Sequence, residues 1–154
     1  MNTNNTKRNE TYRKYNQSFA GRLRTFSQLH FSVYKNEYDE RVDNFTAQDL
    51  EDLWYEQNGL CACCGREIEG GFSKADIGHK LKNGLWNKIN FQILHRRCNF
   101  AQAGIFVDFI AVKETYGYYF TELWNNAEWR EFLIQQCFLG SASIKKFDKL
   151  VQGM

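Results

Sequence analysis

Apolar positions recur along this chain at two spacings, and the switch between them marks out its parts. From Arg8 to Lys35, the residues Tyr12, Tyr15, Phe19, Leu23, Phe26 and Val33 return at mostly three- and four-residue steps, the repeat of one helical face. The pattern predicts an amphipathic helix, broken near Gly21, with Arg13, Lys14, Arg22 and Arg24 outside the apolar stripe. We read that aromatic stripe as core material rather than a base-stacking surface. Residues 1–7 have no apolar period and are expected to be disordered. Thr46 stands where an N-cap belongs, with Asp49 in the first turn, Leu50, Leu53 and Trp54 on one face, and Asn58-Gly59 as the stop.

Past Gly59 the segments shorten. Arg66 to Ile68 and Lys74 to Lys80 are expected to pair as strands across Glu69, Gly70 and Gly71, followed by a turn at Lys82, Asn83 and Gly84 and a short strand from Asn90 to Leu94. Helical spacing then returns: Asn99 to Ala103, Ile105 to Lys113, and Tyr119 to Leu139, with Leu123, Trp124, Trp129, Phe132, Leu133 and Phe138 as buried surface. Gly140 to Ser143 breaks the pattern before a basic terminal helix, Ile144 to Val151. The fold class predicted is α+β, mostly helical.

The chemistry is concentrated in the middle of the chain. Cys61 and Cys64 form one pair with two residues between them, followed by Gly65; His95 and Cys98 form a second pair with the same gap. Thiolates and imidazole are the usual zinc donors, and four protein ligands mark a structural site. Cys61, Cys64, His95 and Cys98 are therefore assigned to zinc, with Cys63 a bystander, because it cannot replace a neighbour and keep the gap and the trailing glycine. The competing reading is four small buried residues that never meet a metal. Cys137 and His30 stand alone and are expected to be packed or exposed rather than ligands.

Inside and just after the loop so closed lie Ile77-Gly78-His79-Lys80, then Asn90, then Cys98-Asn99 running to Gly104. As a set, over about Thr46 to Gly104, these resemble the HNH, or ββα-metal (His-Me finger), endonuclease superfamily, most of all its phage, intron and recombination endonuclease VII-like branches. The resemblance implies a zinc-braced ββα-metal core with flanking amino- and carboxy-terminal helices, and a metal-dependent hydrolysis of DNA phosphodiester bonds. It implies His79 as the general base that takes a proton from attacking water, a task suited to an ordinary imidazole pKa near 6.5. Asn90 would hold the histidine ring, and Asn99 would give an oxygen to a catalytic Mg²⁺ or Mn²⁺. The family's aspartate before the histidine is replaced by Gly78. Strand alternation puts Asp76 on the same face as Gly78, so either Asp76 supplies the carboxylate or the ion holds one more water. The glycine also keeps open another class of function, a catalytically inactive, zinc-stabilised nucleic-acid-binding or protein-interaction module.

Charge agrees with a polyanionic partner. The net value is only +2, but residues 1–35 carry seven basic and one acidic side chain, residues 36–60 one and eight, and residues 61–100 seven and three. Lys80, Lys82, Lys88, Arg96 and Arg97, with Arg22 and Arg24 from the first helix, are the candidate DNA-binding residues, since each phosphate neutralised releases counterions. The organisation expected is a single compact domain: a basic helical segment at 1–45, the zinc-braced core at 46–104 and a helical extension at 105–154. Five cysteines is an odd number, no apolar leader follows Met1, and no apolar run reaches eighteen residues. Neither a disulfide framework, a secretory signal nor a membrane span is expected. A reducing cytoplasm is the compartment implied, that of the host cell were the chain phage-encoded. A homodimer would be needed if both DNA strands are cut.

Overall fold

The computed structural model describes residues 18–24, 45–81 and 88–154. The rest of the first predicted helix, the turn at Lys82 to Gly84, and His30 and Lys82 lie outside the described residues; residues 19–24 are helical, as the spacing predicts. The protein is α+β and mostly helical, with one two-stranded antiparallel sheet among the described residues. None of the described helices is long and apolar enough to cross a membrane.

Helix α1, Ala47–Glu56, begins where the sequence places it. Thr46 Oγ1 accepts from the Asp49 amide at 3.2 Å while the Asp49 carboxylate accepts from the Thr46 amide at 3.0 Å, a reciprocal cap that satisfies two orphan donors. Leu50 and Leu53 are buried beneath it. Strand β1, Ala75–His79, pairs with β2, Phe91–His95, in the register Ala75 to His95 through His79 to Phe91. Helix α2, Arg96–Ala101, follows β2 without a loop and packs on both strands. Four helices complete the chain: α3, Phe109–Tyr116; α4, Phe120–Trp124; α5, Ala127–Gln136; and α6, Ser141–Gln152, which lies against α2 and α4. Buried residues from Phe45 to Phe147 form one hydrophobic cluster.

The structure corrects several boundaries. Residues 66–68 do not pair with β1. Glu67 bridges Leu60, and the Cys61 amide donates to the Arg66 carbonyl at 2.9 Å, so this segment spends its backbone groups closing the turn around the first cysteine pair. Asn90 ends a 3₁₀ turn, Lys88–Asn90, instead of opening the strand. Helix α2 starts three residues before Asn99, with no polar side chain capping it; His95 occupies that place in an extended conformation.

The long helix read over residues 119–139 is divided at Asn125 and Asn126, because Asn126 Oδ1 accepts from the amides of both Glu128 and Trp129 and starts α5. Asp108 likewise caps α3 at Ala111, so that helix begins at Phe109 rather than Ile105. Phe138 was expected to be buried. Its φ of 53° in the turn before α6 turns the ring out, and it is 87% exposed. Phe132 is also exposed, while Trp129 packs half-buried against Tyr116, ring centroids 5.1 Å apart.

Candidate metal centre and hairpin site

Cys61, Cys64, His95 and Cys98 come together as read. Their donor atoms all lie within 4.8 Å of one another. A tetrahedral ion with metal–sulfur bonds of about 2.3 Å has donors about 3.8 Å apart, so this cluster could hold a metal ion such as zinc. Local structure explains the convergence. The Gly65 amide donates to the Cys61 carbonyl at 2.8 Å, folding the first pair into a tight turn, and Gly65 takes φ 72° to leave it. A side chain at Gly65 would also run into Tyr119, whose ring carbons lie 2.3 Å from an ideal Cβ. The second pair is brought in by the junction of β2 and α2.

His95 is the best-braced donor. Its Nδ1 lies 3.2 Å from Cys64 Sγ, its Nε2 lies 3.1 Å from the Glu67 carbonyl, and its amide donates to Cys61 Sγ at 3.3 Å. A proton on Nε2, given to that carbonyl, leaves Nδ1 as the ligand, the arrangement by which an outer partner fixes a metal-binding imidazole.

The thiols illustrate why three sulfurs so placed favour a cation. Hydrogen bonds from Cys61 and then Cys98 hold Cys64 far below the ordinary thiol range, whereas burial, with Cys64 and Cys98 beside it, pushes Cys61 far above it. A divalent ion removes the conflict, because a coordinated thiol is deprotonated outright. Cys63 is fully buried, and burial raises its pKa; it is not among the four converging donors. Cys137 is half-buried, away from the cluster.

Three glutamines that carry no sequence signal frame the hairpin. Gln57, just past α1, accepts from the Ile93 amide at 2.9 Å and donates to the Ile93 carbonyl at 2.9 Å and the Leu60 carbonyl at 3.0 Å. Its amide acts as a substitute strand on the edge of β2. Gln92, fully buried, accepts from the Phe109 amide and donates to the Val107 carbonyl. Gln102 accepts from the Val107 amide and donates to Asn99 Oδ1 at 3.0 Å. These bonds fasten the segment after α2 to the sheet. Pairs of polar atoms were satisfied internally here because burying them alone would cost about 1–3 kcal/mol each.

The candidate catalytic residues fall in two groups. His79 closes β1, is only 5% exposed, and rests against Phe91 at 4.7 Å and Phe106 at 5.6 Å. Asn90 is buried, and its amide clasps the main chain two residues past His79: Oδ1 accepts from the Leu81 amide at 3.0 Å and Nδ2 donates to the Leu81 carbonyl at 3.3 Å. On the opposite face of β1, Asn99 Nδ2 donates to Asp76 Oδ2 at 3.2 Å. Between them lies Gly78, where an added Cβ would stand 3.4 Å from Asn99 Oδ1 and 2.8 Å from Leu94 Cδ1. Leu94 is fully buried, so a larger residue at Gly78 would have to displace its methyl, and Asp76 is the neighbouring carboxylate.

Asp76 also meets Arg96, Nε to Oδ1 3.3 Å. Arg22 reaches this corner, donating to the Ala75 carbonyl at 2.6 Å. Burial, with repulsion from Arg96, lowers the Arg22 pKa, against a smaller opposing effect of Asp76, and its Nε has no hydrogen-bond partner among the described residues.

The remaining candidate DNA contacts scatter. Lys88 is bound to Glu56 and Lys80 lies 3.9 Å from Asp108. Arg24 is exposed at the end of the helical turn. Arg97 instead shares a groove with Arg66, Lys146 and Lys149, three cations the sequence reading did not single out. Compared with family models, with curated proteins and with solved structures, the chain matches none.

Proposed function

We propose that this chain is a metal-dependent DNA endonuclease of the ββα-metal type, braced by a structural zinc ion. One observation carries the reading: the Cys61, Cys64, His95 and Cys98 cluster ties the base of a β1–β2 hairpin whose next element is the helix bearing Asn99. Zinc in that cluster would have four protein donors and no open position, the mark of a structural rather than a catalytic ion.

His79 would take the proton from a water whose oxygen bonds to phosphorus, while the bond from phosphorus to the leaving oxygen breaks. Aromatic walls at Phe91 and Phe106 exclude competing water from the ring. Asn90, by pinning Leu81, fixes the chain as it leaves His79. Asp76 and Asn99 would hold the hard cation through oxygen, a small donor set that suits Mg²⁺ or Mn²⁺ because such ions keep several waters. When bound, that ion supplies positive charge to the phosphate and the leaving oxygen.

Supercoiled plasmid incubated with the protein and Mg²⁺ or Mn²⁺ tests this. Metal-dependent nicking is expected, and His79→Ala should slow it by about 10²- to 10⁴-fold with fold and DNA binding retained; nicking by that variant at the wild-type rate would remove the assignment. A second reading has its own support. Asp76 and Asn99 are already engaged by Arg96 and Gln102, which suits a zinc-stabilised binding module that has lost turnover. A mobility shift without strand breaks would favour it over the enzyme.

A further inference from the structure

Helices α2 and α6 border a groove of about 370 Å³ that none of the proposed catalytic groups enters. From α2 come Arg97 and Phe100, from α6 Lys146 and Lys149, and from the turn after the first cysteine pair Arg66. Arg97 and Phe100 are three residues apart, as are Lys146 and Lys149, so each pair shares a helical face. No acidic residue lines the groove, and none of these four cations is in an ion pair with a described residue. Elsewhere Lys80, Lys88, Arg96 and Arg130 are each matched by a carboxylate.

Phe100 is 69% exposed, although it stands two residues past the metal-cluster ligand Cys98. Lys146 Nζ sits 3.8 Å from its ring centre, covering one face with a cation–π contact and leaving most of the ring open. A rigid aromatic ring set among unpaired cations matches an unpaired nucleic-acid strand, whose bases offer a face to stack while its phosphates meet the charges. A duplex hides its base faces. The groove volume is in the range of small-ligand sites, room for a base with its phosphate but not for a double helix.

We infer that this groove seats a single-stranded segment of DNA, one base stacking on Phe100 and the adjoining phosphates meeting Arg66, Arg97, Lys146 and Lys149. The choice of DNA rests on the nuclease reading. Since Asn99 and Phe100 are neighbours on α2, the same short helix would bear both a cation-binding oxygen and the strand's stacking platform.

The test is fluorescence anisotropy of labelled oligothymidine with the full zinc-loaded chain in the absence of Mg²⁺, beside a hairpin duplex of equal length and a phosphorylated peptide as competitors. Oligothymidine should bind in preference to both. Phe100→Ala should weaken it about tenfold while Phe100→Trp restores it, and Lys146→Ala with Lys149→Ala should flatten the slope of log affinity against log salt by about 1.4. Absent binding, equal competition by duplex or phosphopeptide, or a Phe100→Ala variant that binds as wild type would each overturn the proposal. Melting temperature and zinc content, expected unchanged for this exposed residue, separate lost contact from lost fold. Failed nicking by the wild-type chain with intact oligothymidine binding counts against the nuclease alone, and intact nicking with no groove binding counts against the groove alone.

Discussion

The described residues between Leu60 and Cys98 and the helices from Phe109 onward hold their shape by different means. In the helical region Phe109, Phe120, Trp124 and Phe147 stack edge and face at 4.8–6.3 Å, and burial of these large rings supplies the driving force. The hairpin region has two five-residue strands, four converging donors and glutamine amides in place of sheet neighbours. A two-stranded sheet is marginal alone. Here directional bonds add to the apolar packing of Phe91, Ile93 and Leu94, and a metal ion held by the four donors would add more.

Removing the ion should open that difference widest. Cys98→Ser, or a chelator strong enough to strip zinc, should cost on the order of ten kcal/mol of folding free energy. Metal analysis should show the loss, and amide exchange should rise across residues 60–98 before it rises in α3 to α6. The opposite disruption is Phe147→Ala. It empties the centre of the aromatic cluster, where Phe147 is fully buried, and should cost about 3–5 kcal/mol in denaturant melts while zinc content holds.

Gly65 links the two regions, because Tyr119, just before α4, lies over it. Gly65→Ala meets both a left-handed backbone and that ring, an expected loss of about 2–4 kcal/mol. Gly71→Ala, with φ 79° and open space around it, should lose only about 1–2 kcal/mol.

The smallest effect is an acid one, confined to the helical region. Asp148 is held below the ordinary carboxylate range chiefly by its hydrogen bonds to Arg130, with a smaller contribution from Trp124 Nε1. That pairing stabilises the fold above the unfolded carboxyl value of about 3.9 and is lost as pH falls through the lowered folded value. Asp148→Asn should remove this component of the acid sensitivity of the melting temperature without altering zinc content.

The metal donors were legible because coordination demands fixed residue types at fixed gaps, and Cys61, Cys64, His95 and Cys98 meet both demands in one dimension. The start of α1 was legible for a similar reason, since Thr46 and Asp49 carry their capping partners three residues apart. What the sequence hid depends on distant partners. Gln57, Gln92 and Gln102 read as ordinary polar residues until the backbone groups of Ile93, Phe109 and Val107 are seen beside them. The break at Asn126 was missed because apolar spacing continued through a residue whose side chain caps a new helix. Gly78 looked like a loss until the structure placed the Leu94 methyl where a side chain there would begin. The groove was unread because Arg66, Arg97 and Lys146 are separated by 31 and 49 positions and meet only after α6 folds onto α2.

His95 sits where strand becomes helix, and that double position has an outcome beyond anchoring. The heading of α2 as it leaves the sheet is set by a residue whose imidazole meets Cys64 Sγ and the Glu67 carbonyl and whose amide donates to Cys61 Sγ, and Asn99 and Phe100 ride on that heading. Loading the cluster with ions of different radius should therefore steer the whole helix like a rudder, altering what its outer residues meet without a change to any of them.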